Sequence, residues 1–95
     1  MAGMTLYTLR ESPAYTAQMA TIGQVKHVDA ALSVLTWAIC ESPEKFPFVP
    51  GFQPVRMAKT DKYLRDSVEI PPLRLWFKIE NANVIELLSI EPVRS

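Results

Sequence analysis

The chain has 95 residues, 48% of them apolar and 21% charged, and its ten basic and ten acidic side chains cancel. This composition describes one folded domain with a modest core; it excludes a disordered chain and a nucleic-acid binder that relies on bulk positive charge alone. Cys40 is the only cysteine, so neither a disulfide framework nor a cysteine metal cluster is available. No apolar run approaches the ~20 residues needed to cross a bilayer, and the first residues lack a signal-peptide pattern. A cytoplasmic protein with no membrane contact is expected.

Residues 5–10, TLYTLR, form a short β-favourable run. Ser12-Pro13 then opens a helix over 13–22, because serine caps and proline suits the first helical position. Tyr15, Met19 and Ile22 share one stripe of it, and Gly23 ends it. A second helix is expected over 24–41, with Val25, Val28, Leu32, Leu35 and Ile39 at helical spacing and Ala31, Val34 and Ala38 widening that stripe. Lys26, Asp29, Ser33 and Trp37 lie on its other side. His27 has neither a second histidine nor a suitably spaced cysteine to suggest a metal. Two helices separated by one glycine predict a helical hairpin that covers one side of a sheet.

Residues 43–54 hold four prolines, which forbid helix and central strand. Phe46, Phe48 and Phe52 are expected to pack this segment against the edge of the core. Residues 55–60 alternate as a strand. Residues 61–70 are dense in charge and read as a loop or a helical turn.

Residues 71–92 carry the clearest pattern. Leu73, Leu75, Phe77 and Ile79 alternate with Arg74, Trp76 and Lys78, which is the period of a strand. A turn at Asn81-Ala82 would set Ile79 opposite Val84, Phe77 opposite Glu86, Leu75 opposite Leu88 and Leu73 opposite Ile90. Residues 84–90 are apolar on both faces, as a central strand is. The expected order is β-α-α-β-β-β: an α+β domain with a mostly antiparallel four-stranded sheet, one face for the core and one for a ligand.

Two stretches, ALSVLTWAICESPEKFPFVPGF and PLRLWFKIENANVIELLSIEP, resemble the second helix with its linker and the closing hairpin of the RelE/ParE superfamily, the small toxins of bacterial toxin–antitoxin systems. The second places Leu73-Arg74-Leu75-Trp76-Phe77 where that family has a Tyr-Arg-x-x-Tyr pattern. The resemblance implies a cognate antitoxin as partner and a RelE-like endoribonuclease activity: metal-independent cleavage of ribosome-bound mRNA, in which a ribose 2′-OH attacks the adjacent phosphate. Clustered cations would stabilise the growing phosphate charge, and a proton-transfer group would be needed beside them. By matching places, Arg74, Arg56 and Arg94 are the catalytic cations, with Tyr63 as the acid/base, since no tyrosine or histidine follows it. Lys59, Trp76 and Lys78 would bind substrate, Trp76 by stacking on a base. Arg56 and Lys59 have opposite strand parity, so one face cannot hold both. No cofactor or metal is implied. The ParE branch implies the alternative, a non-nuclease that inhibits DNA gyrase; an inactive interaction domain is a third reading.

Overall fold

The computed structural model describes residues 7–23 and 25–93. The elements run β1 (Thr8–Glu11), α1 (Pro13–Ile22), α2 (Val25–Glu41), a short 3-10 turn (Pro43–Lys45), β2 (Arg56–Lys59), β3 (Tyr63–Arg65), β4 (Val68–Ile70), β5 (Leu73–Ile79) and β6 (Val84–Pro92). The protein is α+β, with two helices and a mixed four-stranded sheet in the order β1-β6-β5-β2. The β2–β5 and β5–β6 pairings are antiparallel, and β1 lies parallel to β6. Strands 73–79 and 84–92 therefore take the centre of the sheet, where apolar residues on both faces are covered or paired.

The start of α1 lies where the serine predicts it. Ser12 Oγ accepts from the Tyr15 N–H at 3.1 Å and also donates to the Leu88 carbonyl at 2.9 Å. The cap thus fastens α1 to β6 as well as ending its orphan donors. Gln18 adds a second tie: its Oε1 accepts from the Ile90 N–H at 2.8 Å and from Ser89 Oγ at 3.1 Å.

One apolar layer lies between the helices and the sheet. Tyr15 of α1, Val28, Leu32 and Ile39 of α2, and Leu73, Leu75, Phe77, Ile85, Leu87 and Ile90 of the central strands are all buried. Phe46 meets the Phe77 ring edge-on, with centroids 5.7 Å apart. Phe48 and Phe52 do not pack as expected; they stand exposed on the proline-rich segment. Val34, expected to widen the core stripe of α2, is 76% exposed.

The hairpin register differs from the expected one. Glu80–Asn83 form the connection, where Asn81 Oδ1 accepts from the Asn83 N–H at 2.8 Å. Ile79 then faces Ile85, Lys78 faces Glu86 and Phe77 faces Leu87. An irregularity between Trp76 and Phe77 lets Leu88 slip out of register, so Trp76 faces Ser89 and Leu75 faces Ile90. The extra residue reverses the parity of β6 midway, which is what a bulge does. It lets Ile85 and Leu87 on one side of the bulge, and Ile90 on the other, all enter the core. The core face is therefore lined by Ile85, Leu87 and Ile90, where Val84, Leu88 and Ile90 were expected.

Residues 61–70 are neither a loop nor a helical turn. They contain a second, two-stranded sheet of β3 and β4. Asp66 and Ser67 join the strands with φ of 53° and 63°, the left-handed pair that suits the twist of a two-residue hairpin. Ile70 is buried, and Thr60 clips the start of β5 by accepting from the Leu73 N–H at 2.8 Å.

Candidate functional site: the outer face of the sheet

Because Leu73, Leu75 and Phe77 point inward, β5 turns Arg74, Trp76 and Lys78 to the opposite face. Lys59 is the cross-strand partner of Arg74, and Met57 that of Trp76. Arg10 of β1 enters the same face beside Glu86, which in turn pairs with Lys78. Four of the expected residues, Lys59, Arg74, Trp76 and Lys78, thus share one surface.

Three of the four cations on this surface, Arg10, Arg74 and Lys78, are paired with carboxylates. Lys78 Nζ lies 3.0 Å from Glu80 and 3.7 Å from Glu86. Arg10 Nη2 reaches the same two carboxylates at 3.5 and 3.6 Å. Two cations and two anions form a closed cluster at the turn end of the hairpin. The hydrogen bond to Glu80 and its negative charge raise the pKa of Lys78, and the same bond lowers that of Glu80. Both shifts move away from neutrality, so this pair holds its charges and does not trade protons near pH 7.

At the other end, Arg74 Nη1 lies 3.5 Å from Glu91, and the guanidinium carbon stands 5.7 Å from the centre of the Trp76 ring. Arg74 Nε is covered and finds no hydrogen-bond partner among the described residues. Lys59 makes no ion pair among the described residues. The result is an aromatic ring with a methionine beside it, an arginine over it and a lysine at its edge.

The remaining expected residues lie elsewhere. Arg56 faces Phe77 across the strands, so it has the core-side parity. Its guanidinium stacks over Phe48 at 3.9 Å and donates to the carbonyls of Phe46 at 2.7 Å and Glu44 at 3.2 Å. That arrangement fastens the proline-rich segment to β2. Tyr63 packs against the core and meets His27 of α2, ring centres 6.5 Å apart. It lines a cleft of about 360 Å³ with Ala31, Val34 and Leu35, and Lys59 at the sheet edge is the one expected binding residue that shares the cleft. Arg94 lies outside the described residues.

Arg10, Glu80, Glu91 and Met57 belong to the surface without having been singled out from the sequence, and Glu86 joins them through the altered register. The signal for Glu86 was its position among apolar neighbours, which contradicts any register that turns it inward. Among the described residues no group of three or more His, Cys, Asp or Glu could hold a metal ion, and no helix is long and apolar enough to cross a membrane. No family model, curated protein or solved structure matches the chain.

Proposed function

We propose that the chain is a toxin-family protein of the RelE/ParE kind and that it acts by binding a protein target, as the ParE branch implies for DNA gyrase. Two stretches of sequence and the order of a strand, two helices and three sheet strands support the class. The pairing of Arg10, Arg74 and Lys78 with carboxylates on the outer sheet face carries the mode of action. A site for cutting RNA needs surplus positive charge where phosphate charge grows, together with a group ready to move a proton. Here Arg10, Lys78 and Arg74 are each held by carboxylates, and Tyr63 is packed against the core beside α2. Trp76, Met57 and Arg74, in contrast, are the residue types that dominate protein interfaces. A cognate antitoxin would then be the protective partner, one of its segments covering this face.

The test is to induce the chain in growing bacteria and follow labelled precursors into DNA and protein. DNA synthesis is expected to fail first, and purified gyrase to lose supercoiling activity when the protein is added. Cleavage of ribosome-bound mRNA by the purified chain would overturn this mode. One observation favours that endoribonuclease reading: Arg74 stands over Trp76 with Lys59 beside it, an arrangement that could hold a phosphate and stack a base. A soluble, folded product without any effect on growth would leave a plain interaction domain.

A further inference from the structure

The second helix carries two stripes. One is buried; the other, on the opposite side, comprises Lys26, Ala30, Ser33, Val34, Trp37 and Glu41, all of them exposed. At helical periodicity these six lie within about 100° of one another around the axis. Val34 leaves 76% of its surface in water and Trp37 leaves 53%. Two large apolar side chains one turn apart, flanked by small residues, form a continuous patch on a helix whose other side is already in the core. Lys26 at one end and Glu41 at the other make no ion pair among the described residues.

The spacing of these residues along the stripe is the same read in either direction: a charge, a four-residue step, then steps of three, one, three and four to the opposite charge. We propose that the chain forms a symmetric dimer in which α2 lies antiparallel against α2 of a second copy, with the twofold axis between Ser33 and Val34. Lys26 then meets Glu41 of the partner subunit, Trp37 covers the partner's Ala30, and Val34 sits beside the partner's Ser33. Symmetry makes each contact twice, as a self-complementary interface requires. A parallel arrangement would instead bring Lys26 to Lys26 and Glu41 to Glu41, and would force the two indoles together, so charge complementarity selects the antiparallel one. A helix pair of this length, about 22 Å, buries less than a standard interface of ~800 Å² per partner, and the dimer is expected to dissociate at about 1–100 µM. The buried stripe of α2 lies between this surface and the core, and only Val34 also borders the cleft that Lys59 and Tyr63 line; the inference does not rest on the proposed function.

Sedimentation equilibrium of the purified chain from about 1 to 500 µM tests it. The mass should rise from 10.7 kDa towards twice that value. Val34→Glu should stay monomeric throughout, with an unchanged circular dichroism spectrum, since the residue is exposed. Lys26→Glu and Glu41→Lys should each weaken the dimer by about tenfold or more, and the double variant should recover to within about threefold of the parent. A monomer over the whole range would overturn the proposal. So would a dimer indifferent to Val34→Glu, or a double variant no tighter than the singles. Recovery in the double variant cannot come from general stickiness, because it needs the two charges to face each other.

Discussion

Two arginines that look alike in the sequence have different roles. Arg56 spends its guanidinium on two backbone carbonyls and a phenyl ring, whereas Arg74 has one long ion pair and an unpartnered Nε among the described residues. Arg56→Ala should therefore cost stability: losing charge-assisted hydrogen bonds at a partly exposed site amounts to about 1–2 kcal/mol, or a fall in Tm of roughly 5–10 °C in a domain this size. Its effect on growth should scale only with the amount of folded protein. Arg74→Ala should shift Tm by less than about 5 °C, because exposed ion pairs contribute ~0–1 kcal/mol, yet it should abolish growth arrest under either functional reading. Thermal melts and induced growth curves of the two variants give the answer. Undiminished arrest by folded Arg74→Ala would remove Arg74 from the site. Strand parity already separated Arg56 from Lys59 in the sequence. It could not show which of them faced outward, because that depends on the pairing of Ala58 with Leu75 across the sheet.

Among the elements, those whose ends carry their own chemistry were legible. Ser12-Pro13 and Gly23 bracket α1, and the alternation of β5 runs unbroken from Leu73 to Ile79. Ser12→Ala should cost about 1–2 kcal/mol, since it removes a helix cap and the donor to the Leu88 carbonyl together. Ser12→Asp keeps the cap acceptor without the donor and should stay less stable than the parent in chemical denaturation; full recovery would show that the bond to Leu88 contributes nothing. The hairpin of β3 and β4 was not legible, because Asp66-Ser67 lacks the asparagine and glycine that announce a left-handed turn. Both residues nonetheless hold positive φ. Asp66→Asn with Ser67→Gly should relieve that strain and stabilise the fold by about 0.5–1 kcal/mol. No gain would mean that the turn is unstrained. The bulge in β6 was equally hidden: only burial of Leu87 and Ile90 on one face, three residues apart, betrays it.

At the scale of the whole molecule, the helices and the sheet are held together by contacts distant in sequence, and these were the least legible. The parallel pairing of β1 with β6 joins residues 8–11 to 84–87, and no local pattern encodes such a partner. Tyr15 lies inside this assembly, 3% exposed between α1 and the core. Burial, reinforced by the nearby charges of Glu11 and Asp29, pushes its phenol up to about 12 from 10.0. The folded pKa exceeds the unfolded one, so the neutral phenol contributes its stability fully below pH ~10, and that contribution is lost as pH rises through about 10 to 12. The loss at the upper limit is on the order of 2 kcal/mol. Tyr15→Phe keeps the ring and cannot ionise. Its unfolding free energy should match the parent within about 1 kcal/mol at pH 7 and exceed it progressively above pH 10. Lys78, whose raised pKa also carries its ion pairs into this alkaline window, titrates in both proteins and cancels in the difference. Denaturant titrations of both proteins at pH 7, 9, 10 and 11 measure that difference directly. Parallel curves would mean that the phenol reaches solvent and that α1 does not seal this side of the core.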